Sequence, residues 1–117
     1  MKSIFASQRT LKSNLSTGPV FLVLLDRGPE EDGAKRVDYQ GSGMAPISGW
    51  KINGRTASNE AQITIPRNKG PTKAKVGGWA IVDENGQWIY GDRVSEPFDI
   101  RPNDEPYFMA GDIVVED

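Results

Sequence analysis

The stretch from Val76 to Val94 constrains the fold more than any other, because Asn85-Gly86 separates two apolar runs within it. An Asn-Gly pair in this setting is the strongest short-range signal for a hairpin with a two-residue type I′ turn, since both central residues of that turn need positive φ. Such a turn pairs Glu84 with Gln87 and thereby sets the register of both strands. The further pairs it predicts are Asp83 with Trp88, Val82 with Ile89, Ile81 with Tyr90, and Trp79 with Asp92.

Strand alternation divides the large side chains of this hairpin between two faces. The first face is predicted to carry Trp79, Ile81, Trp88 and Tyr90, and the second Ala80, Val82 and Ile89. Because both faces are apolar, we expect the hairpin to lie between two layers or between subunits. This arrangement indicates the centre of a β-sandwich.

Composition favours a single all-β domain and narrows the function. The 117 residues include 13 Gly and 8 Pro, which is typical of a β protein with many turns. The absence of Cys and His excludes thiol nucleophiles, disulfides, the common zinc sites and His-based triads. The carboxylates and serines form no recognisable catalytic arrangement. We therefore expect no enzymatic activity, no metal site and no cofactor.

Charge is small overall and unevenly distributed. The net charge of −2 argues against general affinity for nucleic acid. Residues 1–82 contain 12 Lys or Arg and 6 Asp or Glu, whereas residues 83–117 contain 2 and 10. Either strands from both halves interleave and the charges mix, or the subunit has unlike poles that meet charged neighbours. The longest apolar run, Val20–Leu25, is far too short to span a membrane.

Residues 1–17 are expected to form a short amphipathic helix or arm that precedes a sandwich domain over residues 18–117. The apolar positions of this segment have approximately helical spacing, and Gly18-Pro19 ends the pattern. A helix of about three turns is marginal alone, so it should dock on its own sandwich or on a neighbouring subunit. Its candidate contact residues are Ile4, Phe5, Leu11 and Leu15.

The remainder of the chain predicts seven or eight short strands, as in a sandwich, a jelly roll or a small barrel. Val20–Leu25 has the continuous apolar character of a strand buried on both faces. The acidic stretch 26–33 is expected to be a solvated loop. Short strands are also predicted at 37–39 and 44–52, and Asn53-Gly54 is a second turn candidate. Along 58–66, alternation predicts that Ala61, Ile63 and Ile65 point inward.

A basic loop over residues 67–75 interrupts the strand pattern. It contains no aromatic residue, whereas channels for single-stranded nucleic acid usually combine cations with stacking rings. The loop is therefore either solvated or in contact with an acidic neighbour. Its cations are Arg67, Lys69, Lys73 and Lys75.

Aromatic residues supply a further group of candidates. Indole and phenol rings bury large apolar areas and often anchor cores or interfaces, and exposed rings can also stack on sugars. The sequence leaves both roles open for the set Trp50, Trp79, Trp88, Tyr90, Tyr107 and Phe108.

Several of these elements, in order, resemble a family of small virion proteins of tailed phages that are often labelled tail-fibre proteins. The matching features begin with Ser58-Asn59 and an alternating strand ending at Pro66. They continue with the Ile81–Gly86 strand end and turn, the aromatic return strand Trp88–Gly91, and the ending Phe108–Val115. Val20–Leu25 and the acidic Gly-rich loop after it also resemble the first strand and loop of that family.

The resemblance implies a sandwich or jelly roll that is made in the host cytoplasm and is located in the virion. We expect a non-enzymatic structural protein, first a capsid cement or decoration subunit and alternatively a tail-fibre or tail-tip protein. Expected partners are other capsid or tail proteins and further copies of the chain, as a dimer or trimer. A carbohydrate- or receptor-binding module is a second function class. Besides the N-terminal and basic residues above, the candidate interface residues are Trp79, Trp88 and Tyr90.

Overall fold

The structure, a computed structural model, describes Leu15 and residues 18–116. Within this part the chain forms nine strands in antiparallel sheets, which confirms the all-β prediction. The predicted helix or arm over residues 1–17 lies outside the described residues except for Leu15, which is buried. No helix among the residues described is long and apolar enough to cross a membrane. The strands are β1 (Val20–Leu25), β2 (Ala45–Pro46), β3 (Trp50–Asn53), β4 (Thr56–Asn59), β5 (Ile63–Thr64), β6 (Ala74–Asp83), β7 (Trp88–Ile100), β8 (Tyr107–Phe108) and β9 (Val114–Glu116).

Three sheets surround one main core, as in a β-sandwich of short strands. The largest sheet has the order β2-β1-β6-β7, and the smaller ones have the orders β3-β4-β9 and β5-β8. Side chains from all three sheets meet in the main core, for example Leu22 from β1, Ile63 from β5 and Val115 from β9. The long β6–β7 hairpin contributes Trp79 and Tyr90, so the hairpin predicted from the sequence is the centre of the fold.

A second apolar cluster lies on the other face of the largest sheet. Alternation along β1 sends Leu22 and Leu24 into the main core and Val23 and Leu25 into the second cluster. All four side chains are at most 6% exposed. The prediction that Val20–Leu25 is buried on both faces is therefore confirmed, and the hairpin likewise contributes side chains to both clusters.

The turn of the central hairpin differs from the predicted type I′ turn. The Asp83 carbonyl accepts a hydrogen bond from Gly86 N–H, and Asp83 N–H donates to the Gln87 carbonyl, both at 3.0 Å. Gly86 has a φ of 81°, whereas Asn85 is not among the residues with positive φ. This is a three-residue loop, a type I turn followed by a left-handed glycine. The Asp83 carboxylate explains the preference, because its Oδ1 accepts the N–H groups of Asn85 and Gln87, both at 2.9 Å.

A bulge at Ile89 compensates for the longer loop. Val82 pairs with Trp88 and Ile81 with Tyr90, so the register shifts by one residue between these pairs. The predicted register is confirmed from Ile81–Tyr90 to Trp79–Asp92, and a second irregularity follows between Gly78 and Val76. Near the turn the face prediction is wrong, because a one-residue shift exchanges the two faces. Trp88 packs against the second cluster, and Ile89 packs against the main core.

Residues 58–66 do not form one continuous strand. They contain the end of β4 and the short strand β5. Ile63 and Ile65 are 2% and 3% exposed, as predicted, but Ala61 is exposed. The chain turns at Asn59, whose side chain is buried and bonded to backbone groups. The inward positions before that turn are therefore Ala57 and Asn59.

Two shorter predictions also need correction. Asn53 pairs with Thr56, so the β3–β4 loop is Gly54-Arg55 and not Asn53-Gly54. Only Gly54 of the two loop residues has positive φ, which is the arrangement of a type II′ turn. Residues 37–39 form no strand, and an isolated bridge joins the preceding residue, Arg36, to Leu25.

Candidate functional site

The aromatic candidates on the central hairpin lie mainly inside the chain. Trp79 is 6% exposed and Tyr90 is fully buried, and both belong to the main core. Trp88 is only partly buried and covers the second cluster. The rings of Trp79 and Tyr90 therefore pack within their own subunit and are not presented at its surface.

The basic loop is joined to the acidic C-terminal half of the same chain. Arg67 donates to the Asn103 carbonyl at 3.2 Å, and its guanidinium lies 3.8 Å from a Glu105 carboxylate oxygen. Lys73 Nζ lies 3.5 Å from Asp99 Oδ2. The oppositely charged halves of the sequence therefore interleave, and part of their charge is neutralised within the subunit.

The other two cations of this loop occupy separate surroundings. The Lys69 stem lies beside Gly41, and its backbone N–H donates to the Gln40 carbonyl at 2.8 Å. Lys75 is exposed on β6 in register with Asp99 of β7. The N-terminal candidates Ile4, Phe5 and Leu11 lie outside the described residues, and Leu15 is part of the main core.

Asn68, which the sequence analysis did not single out, organises the basic loop from a fully buried position. Its Nδ2 donates to the carbonyls of Thr72 at 2.8 Å and Ile100 at 3.0 Å, and its Oδ1 accepts Gly70 N–H at 2.9 Å. Its own backbone bonds to residues 103 and 104. The Asn-Lys-Gly-Pro sequence indicates a turn there, but nothing local indicates that the amide is buried.

These contacts shape a groove between the end of β7 and β8, which we call the 98–108 groove. It has a volume of about 450 Å³. Tyr107 is 58% exposed, while Phe98 and Phe108 are half-buried against the main core. The groove is lined by Phe98, Asp99, Asp104, Glu105, Pro106, Tyr107 and Phe108.

The loop at one side of this groove, residues 101–106, is held in place by hydrogen bonds within the loop. Asp104 Oδ2 accepts Arg101 N–H, and Asp104 N–H donates to the Arg101 carbonyl, both at 3.0 Å. Asn103 adopts a left-handed φ of 73°, which asparagine tolerates better than most residues. The groove therefore has a defined backbone frame, and its carboxylates Asp99 and Glu105 face the cations Lys73 and Arg67.

A second, shallower cleft of about 540 Å³ lies between the acidic loop 26–33 and the hairpin tip. Two carboxylates of the loop are engaged by the chain: Glu31 Oε2 accepts Gly28 N–H, and Glu30 pairs with Arg93. The hydrogen bond from Arg93 lowers the pKa of Glu30 below its usual value. Among the residues that the structure describes, no group of three or more acidic side chains is placed to hold a metal ion.

The acidic loop packs on the central hairpin through glycines. A Cβ at Gly78 would lie 2.5 Å from the Arg27 carbonyl oxygen, and one at Gly91 would lie 2.9 Å from Pro29. These contacts require the absence of a side chain on the strand. The backbone of the acidic loop therefore packs on the hairpin with Gly28 and Pro29 buried, whereas Glu30, Glu31 and Asp32 are exposed, as predicted for a solvated loop.

Exposed apolar side chains concentrate on the smaller sheets. Ile52 on the edge strand β3 is 43% exposed, and Val114 on the opposite edge strand β9 is 40% exposed. Met109, just after β8, is 61% exposed. The sheet β3-β4-β9 therefore presents apolar side chains at both of its edges.

No family model matches the chain, and a comparison with curated proteins finds no match.

Proposed function

We propose that the chain is a non-enzymatic structural subunit of a bacteriophage virion, and that it acts as a capsid cement or decoration protein. The observation that carries the proposal is the resemblance of residues 58–115 to small phage virion proteins. In the structure, Ser58-Asn59 ends β4, Ile81–Gly86 covers the end of β6 and its turn, and Phe108–Val115 runs from the last residue of β8 into β9. The alternating stretch that ends at Pro66 is divided between β4 and β5. A tail-fibre or tail-tip role is the alternative within the same class.

The sheet β3-β4-β9 is the surface best suited to contact a neighbour. Strands at the edge of a sheet present backbone groups that can pair with another chain. Here these edges also carry Ile52 and Val114, which are large, apolar and exposed. A neighbouring capsid subunit or a second copy of the chain would bury these side chains, which provides a hydrophobic contribution to binding.

Weak individual contacts suffice for this role. A subunit that binds the assembled shell, and not its free components, stabilises the shell by mass action. In a symmetric particle the same contact is repeated many times, and simultaneous contacts strengthen one another. A small apolar edge can therefore have a large cumulative effect on the particle.

The test is co-sedimentation of the purified full chain with capsids and, separately, with tails of the virus whose genome carries this sequence. Saturable binding to capsids is expected, and binding to tails alone would assign the tail role instead. Val114→Lys should weaken the affinity for capsids by about tenfold, equivalent to about 1.4 kcal/mol. Thr64→Lys, an exposed change on β5, is the matched control. Sedimentation with neither particle would contradict the proposal.

A further inference from the structure

Tyr107 is the aromatic side chain best placed to meet a ligand. Its ring is 58% exposed and lines the 98–108 groove, in contrast to Trp79 and Tyr90 in the main core. Small-molecule sites are typically concave, partly aromatic, and provided with a few polar groups at fixed positions. The groove has this composition, because Phe98 and Phe108 form apolar walls and three carboxylates lie at its margin.

The charges around the groove limit the class of ligand. Asp99 is paired with Lys73, Glu105 with Arg67, and one oxygen of Asp104 accepts the Arg101 N–H. Three carboxylates facing two cations leave only a small negative balance. A cationic ligand would compete with the existing pairs, and an anionic ligand would meet carboxylates. A neutral ligand with many hydroxyl groups avoids both costs.

Such a ligand also matches the hydrogen-bonding groups. Carboxylate oxygens accept hydrogen bonds from hydroxyls, while ammonium and guanidinium groups donate to hydroxyl oxygens. The side chains of Asp99 and Glu105 are 33% and 45% exposed, so parts of these carboxylates are open to solvent. Bonds to charged groups are stronger than those between neutral groups.

The groove is also preorganised. Asn68 bonds to Ile100 and, through its backbone, to residues 103 and 104, so the segment between β7 and β8 is fixed by a buried side chain. The Asp104 carboxylate also accepts Arg101 N–H, which fixes the conformation of the same segment. A site whose frame is already ordered loses less conformational entropy when it binds a ligand.

We propose that the 98–108 groove binds a neutral sugar unit, with its apolar face against Tyr107. The sugar hydroxyls bond to Asp99 and Glu105 and to their cationic partners Lys73 and Arg67. This inference does not depend on the virion role, since a carbohydrate site could serve any surface protein.

The experiment is a titration of the full chain, labelled with ¹⁵N, followed by amide resonances. The probes are maltose, cellobiose, lactose and N,N′-diacetylchitobiose, each added to roughly 10 mM, where a site with a Kd near 1 mM is almost saturated. At least one neutral disaccharide should shift the amides of residues 98–99, 104–105 and 107–108. Sialyllactose, which is anionic, should bind more weakly than lactose.

Matched variants separate ring stacking from general effects. Tyr107→Ala should weaken the affinity for the binding disaccharide by about tenfold, because the ring is lost. Tyr107→Phe keeps the ring and should keep most of the affinity. Met109→Ala, which removes an equally exposed side chain that is not among the groove-lining residues, should change nothing.

Three results would overturn the proposal. The first is the absence of any shift with all four disaccharides, and the second is a set of shifts confined to residues away from the groove. The third is unchanged affinity in Tyr107→Ala. Loss of capsid binding with intact sugar binding would instead reject the virion role alone.

Discussion

Arg93 donates to one carboxylate oxygen of Glu30 through both Nε and Nη2, at 3.1 and 2.7 Å. The pair connects the acidic loop after β1 with β7 across 63 residues of sequence. It reinforces the contact of the same loop with Gly78 and Gly91. Both side chains are about half exposed, so solvent screens the interaction and its contribution to stability is small.

The pH dependence of this ion pair is the first prediction. The pKa of Glu30 is lowered from 4.5, chiefly by the hydrogen bond from Arg93. Its contribution is therefore present above the ordinary pKa and lost as the pH falls through the lowered one. In urea unfolding, Arg93→Gln should be slightly less stable than the wild type near pH 7 and equal to it well below pH 4. A difference that persisted or grew in acid would contradict the assignment, and Arg101→Gln serves as the control.

Asn59→Ala should strongly destabilise the sandwich. The Asn59 side chain is 2% exposed, donates to the Ala61 and Met109 carbonyls, and accepts Ile113 N–H. Its removal leaves buried backbone groups without partners, and we expect the free energy of unfolding to fall by about 3 kcal/mol.

Chemical denaturation of Asn59→Ala and Asn53→Ala measures this effect. Asn53 is exposed at the end of β3, so its replacement should change stability by less than about 0.5 kcal/mol. If the two substitutions lowered the free energy of unfolding equally, the buried amide of Asn59 would stabilise the fold no more than the exposed Asn53 does.

Gly78→Ala should weaken the packing of the acidic loop on the hairpin. The added methyl group would lie 2.5 Å from the Arg27 carbonyl oxygen and 3.1 Å from that of Asp92, so backbone must move. We expect a loss of about 1–3 kcal/mol in thermal or urea unfolding, as for other overpacked sites. Gly43→Ala, where the Cβ meets nothing within 4 Å, should be nearly neutral.

Gly86→Ala tests the turn geometry of the central hairpin. At a φ of 81° an alanine is strained by its Cβ, although no neighbouring atom lies within 4 Å. A loss of about 1 kcal/mol is expected for alanine and a smaller loss for asparagine, which tolerates the left-handed region. Urea unfolding of the wild type, Gly86→Ala and Gly86→Asn measures both losses. Equal stability of all three proteins would argue against the left-handed conformation of Gly86.

Self-association of the full chain is the prediction closest to the proposed function. Light scattering across a concentration series should give the mass of a dimer or trimer, and Val114→Lys should shift the mass towards the monomer. The reason is that a charge on the β9 edge must be desolvated in any contact there. A wild-type mass that stays monomeric at all concentrations would remove the homo-oligomer from the proposal.

The sequence by itself determined the all-β class, the central hairpin and the burial of β1 on both faces. These features depend on alternation and turn residues, which are local properties of the chain. The register from Ile81–Tyr90 to Trp79–Asp92 was also predictable, because the bulge at Ile89 cancels the extra residue in the turn.

Tertiary structure decided which face Trp88 occupies, because a one-residue bulge exchanges the faces without leaving a clear signal in the sequence. It also decided the burial of Asn59 and Asn68, whose partners lie up to 54 residues away. The frame of the 98–108 groove also depends on a long-range contact, because Asn68 bonds to Ile100 and to the loop between β7 and β8. Alternation reports which side chains share a strand face, whereas a groove depends on how separate segments meet in space.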